Sequence, residues 1–147
     1  MNAPPLTIRS AMPGDAKRLA ELSGQLGYPR TREEILRHLS QLQEDPEHAV
    51  YVAETLDGKV MGWLHVFVSP LLEVDAQAEV GGLVVDEAQR GHGAGRLLLQ
   101  QAEQWAREKG CRTVCLRCNV IRTGAHAFYE KLGYQTIKSQ KVFRKSL

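Results

Sequence analysis

Four things are scarce in this chain of 147 residues, and each scarcity removes a class of protein. Cysteine is rare and odd in number. Cys111, Cys115 and Cys118 cannot supply the even set from which small secreted domains build a disulfide framework. Charge imbalance is slight: a net +2 is too small for the field of a nucleic-acid or anionic-membrane binder. Long apolar runs are missing, since nothing approaches the ~20 residues of a membrane span. Met1-Asn2-Ala3-Pro4-Pro5 has no basic stretch leading into an apolar one, as a secretory leader does. Metal-ligand spacing is missing too. The five histidines show no HExxH pattern. Cys115-Leu116-Arg117-Cys118 has neither a second ligand pair nor a helix N-terminus behind it. In a strand, residues three apart face opposite sides, so the cysteines read as structural and buried. The expectation is a cytoplasmic protein without metal, nucleic acid or membrane among its partners.

What remains is ordinary for a soluble domain: 43% hydrophobic and 24% charged residues. The length fits a single domain over 1–147. Leu6 to Arg9 reads as a strand. Asp15 to Leu26 is helical, with Gly27 to end it, and Thr31-x-x-Glu34 is a capping box opening a second helix. His48 to Leu56 and Lys59 to Ser69 read as a hairpin about Asp57-Gly58. Pro70 to Gln77 reads as a loop, and Ala78 to Val85 as a strand. A helix follows as far as about Lys109, with Gly110 at its end; Cys111 to Cys118 is a strand and Thr123 to Leu132 a helix closed by Gly133. Tyr134 to Ser139 and Lys141 to Arg144 read as a closing hairpin. Hairpins mixed with crossover helices imply an α/β (α+β) domain around one mixed sheet.

The most informative stretch is Arg90-Gly91-His92-Gly93-Ala94-Gly95, between the apolar strand Gly82-Leu83-Val84-Val85 and a helical pattern from Arg96 onward. Strand, glycine-rich turn and helix in that order form an anion site. The first helical amides lack carbonyl partners, and glycines let a diphosphate approach them. A P-loop requires Lys and a hydroxyl after its last glycine, but Arg96-Leu97 stands there. The dinucleotide fingerprint requires glycine where Arg96 or Leu98 stands.

The pattern Arg/Gln-x-x-Gly-x-Gly/Ala resembles the acetyl-CoA loop of the GNAT superfamily of N-acetyltransferases. Asn119, followed by Ala125 and then Phe128-Tyr129-Glu130-Lys131-Leu132-Gly133-Tyr134, resembles that family's closing signature. The similarity covers nearly the whole chain and is most specific from Glu79 to Tyr134. Two departures stand out: Val120 to Gly124 lacks the family's usual polar pair after the Asn, and the first two helices match no particular acceptor class.

The resemblance implies a mostly antiparallel central sheet flanked by about four helices. It also implies acetyl-CoA as donor to an amine acceptor, and it is compatible with a homodimer. The loop from Arg90 through Gly91, His92, Gly93, Ala94, Gly95 and Arg96 would hold the diphosphate, and Leu83, Val84 and Val85 the pantetheine. Arg90 and Arg96 either add charge-assisted contacts or are solvated surface charges. Gly81-Gly82 fits a bulge that frees backbone groups at this strand, and a freed amide near Leu83 would stabilise an oxyanion. Glu79 stands where family members place a general base, and Tyr129 where they place a general acid. Asn119 and Phe128 join the cofactor contacts. Attack is expected to be direct, in a ternary complex. A non-catalytic acyl-CoA sensor and a nucleotide-binding module stand as other readings.

Overall fold

The structure, a computed structural model, describes residues 5–118 and 120–147. Asn119 lies outside the described residues, and so does most of the Met1 to Pro5 segment on which the leader reading rests. The chain divides into two compact units, Met1–Leu116 and Arg117–Leu147.

The first unit is built on a five-stranded sheet in simple sequential order: β1 (Leu6–Ser10), β2 (His48–Thr55), β3 (Val60–Leu71), β4 (Val74–Val85) and β5 (Val114–Leu116). The first three pairings are antiparallel, and β5 joins β4 in parallel. The helices are α1 (Ala16–Leu26), α2 (Arg32–Gln43), α3 (Ala94–Glu108) and, in the second unit, α4 (Thr123–Lys131). This is the mixed, mostly antiparallel α/β architecture expected. Among the described residues no helix is long and apolar enough to cross a membrane.

Alternation along the strands sorts the two faces. Val52, Trp63 and Val84 stand side by side in the register and pack with Leu19 and Leu22 of α1 and Leu39 of α2. Gly62, one residue from Trp63, faces the other way. A Cβ there would lie 2.7 Å from the Val84 carbonyl oxygen and 3.4 Å from Leu98 of α3. The sheet therefore has α1 and α2 on one face and α3 on the other. On α3, Leu98, Leu99, Ala102, Trp105 and Ala106 are buried at helical spacing.

The helix ends follow the local chemistry. Thr31 and Glu34 form the reciprocal capping box. Gly27 and Gly110, at φ +100° and +81°, turn the chain out of α1 and α3.

Three boundaries differ from expectation. Pro70 to Gln77 is not a loop: β3 and β4 run on as a ribbon to a tip at Leu72-Glu73, with Ser69 opposite Gln77 and Leu71 opposite Val74. Pro70 falls at the register irregularity, where a missing N–H costs no ladder bond. The last strand is only Val114–Leu116, because β4 bulges immediately past its partner. Cys118 thus lies outside it, and of the three free cysteines only Cys111 is fully buried. The closing hairpin is absent: no strand occurs among the described residues past Gly133. Ile137, Val142 and Phe143 are exposed there, so no apolar burial offsets the entropy of ordering two strands.

Two ion pairs tie α1 and its approach to the sheet. Arg9 grips Asp15 through both guanidinium nitrogens at 2.8 and 2.9 Å, and Arg18 pairs with Asp86 at the end of β4. These hydrogen bonds hold both carboxyls below their ordinary 3.8. A depressed folded pKa stabilises fully above the unfolded value, and the contribution disappears as pH falls through the folded one. The unfolding midpoint should therefore be insensitive to these groups above about pH 5 and should drop below about pH 4. Arg18→Ala should remove the Asp86 share of that drop, read from thermal melts across pH. Leu98→Ala should cost about 2–5 kcal/mol in urea melts.

Candidate functional site

The centre of the site is an irregularity in β4. His65 of β3 stands opposite Gly82, and Val66 stands opposite Val80, so Gly81 is an extra residue in β4. This is the bulge expected from Gly81-Gly82. Both glycines face the α1/α2 side. A Cβ on Gly82 would lie 2.7 Å from the Trp63 ring, and one on Gly81 would lie 3.0 Å from His65 Nδ1.

The bulge also resets which residues share a face. In an unbroken strand Glu79 and Leu83, four apart, would point the same way. Here Glu79 stands opposite Phe67, on the α1/α2 side with Gly81, Gly82 and Val84. The Leu83 side chain goes to the α3 side, opposite Leu64. The Glu79 side chain is buried, with 6% of its surface exposed. Its neighbour on β5 is Cys115.

Pairing between β4 and β5 covers only Ala78 to Val80. From Gly81 to Val85, β4 keeps its bonds to β3 but has no sheet neighbour on its other edge among the described residues. Backbone donors and acceptors on that edge are open to an extended amide-bearing chain, in the manner of an added strand.

At the end of this edge the chain enters the anion loop. Asp86 caps a short turn, Glu87–Gln89, by accepting from the Ala88 amide at 3.1 Å. Gly91 and Gly93 then adopt φ +88° and +87°, a left-handed conformation costly for any residue with a Cβ. Gly93 is the N-cap of α3, and no side chain caps the helix. Its carbonyl accepts from the Leu97 amide at 3.0 Å. The amides of Ala94, Gly95 and Arg96 thus begin the helix without i−4 partners, at its positive end. Arg90, His92 and Arg96 are exposed around them. A diphosphate fits this turn, and an amide-bearing tail fits the open edge that leads to Glu79.

The second unit carries the closing motif. Phe128 and Tyr129 lie on α4, with their rings edge to face at 5.3 Å, and Tyr129 meets Tyr134 at 6.2 Å. Burial pushes the Tyr129 phenol up; Cys118 adds to the rise and Arg122 opposes it. A phenol so placed stays protonated at neutral pH and has a proton to give. The expected contact at Asn119 lies outside the described residues.

The expectation from residue types alone did not include His48, His65 and Phe67. Their rings stack on Glu79's face of the sheet, with centroids 5.2 to 5.5 Å apart. The signal was present as Trp63-x-His65-x-Phe67, a large aromatic at every second position opposite the apolar row Leu64 and Val66.

An open strand edge running into an uncapped, glycine-led helix is an arrangement of backbone groups suited to a phosphorylated, amide-bearing molecule. The family model for the acetyltransferase (GNAT) family matches residues 16–134. The chain belongs to the GNAT acetyltransferase family; it is an acyltransferase that moves an acetyl group to an amine. It is 32% identical over 145 residues to an aminoglycoside N(6')-acetyltransferase type 1 of Stenotrophomonas maltophilia, covering 96% of this chain and 94% of that one. Among solved structures, a transcriptional regulator from Bacillus halodurans C-125 superposes with a TM-score of 0.85 at 25% identity, covering 96% and 100% of the two chains. The aminoglycoside N-acetyltransferase AAC(6')-Iy, solved in complex with CoA, shares the fold at a TM-score of 0.85 and 18% identity, over 99% of this chain and 98% of that one.

Gly93→Asp should weaken CoA binding at least tenfold in calorimetric titration. The left-handed strain is about 1–2 kcal/mol, and the carboxylate repels the diphosphate. Unchanged affinity would remove the diphosphate from this loop.

Proposed function

We propose that the chain, as one acetyltransferase domain over 1–147, transfers the acetyl group of acetyl-CoA to a primary amine by direct attack in a ternary complex. The acceptor is a small molecule or a protein amino group, and the setting is the cytoplasm. The family match supports the single domain, since it runs from α1 through α4 across both compact units.

The observation that carries the reading is Glu79. It is buried on the α1/α2 face at the bulge where β4 loses its second neighbour. The donor supplies an activated thioester; the residues of this chain do the rest. The amides of Ala94 to Arg96, with Arg90 or Arg96, hold the diphosphate, and the free edge of Leu83 to Val85 orients the tail. An alkyl ammonium is almost wholly protonated at neutral pH, its reference pKa being ~10.4. Glu79 accepts a proton from the acceptor nitrogen, directly or through water, which frees the lone pair for attack. An amide near Leu83 donates to the carbonyl oxygen as it gains charge. Tyr129 gives its proton to the departing sulfur; the second proton, leaving the new amide nitrogen, restores the Tyr129 phenol directly or through water, and Glu79 returns its own to solvent.

The relatives named as aminoglycoside acetyltransferases make the primary amine of an amino sugar the first acceptor to test. The similarity to a protein named as a transcriptional regulator favours a second reading, an acyl-CoA-binding sensor without turnover. Thiol release from acetyl-CoA across amino sugars, polyamines, amino acids and peptides separates the two. Tight CoA binding with no release for any amine supports the sensor. Glu79→Gln should lower kcat at least a hundredfold, within the usual range for loss of a general base, while CoA affinity stays within twofold. Equal turnover at every pH would sink the base assignment. Cys115→Ala should retain turnover; its loss would point to an acyl-enzyme instead.

A further inference from the structure

The mechanism above leaves unused a polar group on the same face of the sheet as Glu79. His48 of β2 stacks on His65 at 5.2 Å and 23°, and on Phe67 at 5.2 Å and 16°. His48 Nδ1 and His65 Nε2 are 2.9 Å apart, a hydrogen bond between two imidazoles. The other nitrogen of His48, Nε2, lies 3.7 Å from Asp45 Oδ2. Asp45, His48 and His65 therefore form a string running inward from an exposed carboxylate.

The string favours one tautomer. A carboxylate beside His48 Nε2 favours the proton on that nitrogen. With the His48 proton on Nε2 and Nδ1 bare, His48 accepts across the 2.9 Å contact and His65 donates from Nε2–H. His65, once neutral, is left with a lone pair on Nδ1. Burial, with His48 adding, lowers its pKa to about 4, so it is neutral in the neutral pH range. Nδ1 opens onto the bulge, where a Cβ on Gly81 would sit 3.0 Å from it and 3.2 Å from Phe67. Glycine at this position leaves a notch bounded by that lone pair, and Glu79 faces the same side opposite Phe67.

We propose that His65 is an acceptor-binding residue whose Nδ1 accepts a hydrogen bond from the amine in the Gly81 notch, with His48 and Asp45 as positioning residues that hold its tautomer. This inference rests on the acetyltransferase reading. The acidic group on the face of the notch is Glu79, opposite Phe67 and buried, which suits a cationic amine. His65 holds the nitrogen without competing for its proton, and Glu79 takes that proton.

Two measurements test the proposal. Nitrogen-15 NMR of the histidine side chains at neutral pH reads the tautomer without any turnover. His65 should be protonated at Nε2 and bare at Nδ1, and a proton on Nδ1 overturns the proposal. Kinetics on the amine that the wild type acetylates best gives the second readout. His65→Phe keeps the ring stack and removes the lone pair; it should raise the acceptor KM about tenfold, the scale of one lost hydrogen bond to a charged group. The KM for acetyl-CoA should stay within twofold. His48→Phe, which frees the His65 tautomer, should raise the acceptor KM about threefold, a partial share of the same bond. If His65→Phe loses its native circular dichroism, Gly81→Ala carries the test, since it fills the notch and should raise the acceptor KM in the same selective way. Unchanged acceptor KM in the folded variants overturns the inference. A wild type that acetylates no amine overturns the acetyltransferase reading instead, and the NMR result then decides the tautomer alone.

Discussion

One extra residue in β4 sets the geometry of everything near the candidate site. With Gly81 inserted opposite His65, β4 cannot continue its parallel pairing, and β5 stops at Leu116, opposite Val80. The same insertion turns Glu79 toward the α1/α2 face and sends Leu83 to the α3 face. A regular strand would have given a longer β5, a closed edge and a carboxylate on the side of the wrong neighbours. Crowding requires glycine at Gly82, where a Cβ would lie 2.7 Å from the Trp63 ring; at Gly81 a Cβ would fit only tightly, 3.0 Å from His65 and 3.2 Å from Phe67.

The two sides of the sheet meet at a charged junction. Arg18 of α1 donates from Nε to the Val60 carbonyl at 2.9 Å and pairs with Asp86, whose own amide donates to the Met61 carbonyl at 2.7 Å. The next amide, of Glu87, donates to the Gln25 side chain at 2.9 Å. The root of the anion loop is thus held by the helix that covers the opposite face from α3.

What was legible in the sequence was local. The capping box at Thr31 and Glu34, the helix ends at Gly27 and Gly110, and the glycine-rich turn before α3 each depend on a few adjacent residues. So does the bulge, which two consecutive glycines in an apolar strand announce. What was not legible depends on partners distant in the chain. The length of β5 is decided by where β4 bulges, and the ribbon past Ser69 by pairing that propagates from the packed part of the hairpin. The His48–His65 bond joins residues on two strands, and only the register brings them together. The face on which Glu79 lies required counting the inserted residue, which a fixed four-residue spacing conceals.

Helix α3 opens on Gly93, where most helices place a hydroxyl or carboxylate to satisfy the first amides. On the proposed reading, the diphosphate of the donor does the work that a capping side chain does elsewhere. Ligand occupancy and helix stability are then the same quantity measured twice. The bound protein gains RT ln(1 + [L]/Kd) of folding free energy over the free one, about 2.7 kcal/mol at a hundred times Kd. The cell's supply of donor would in that way govern how long the chain survives as a folded protein, as well as how fast it turns over.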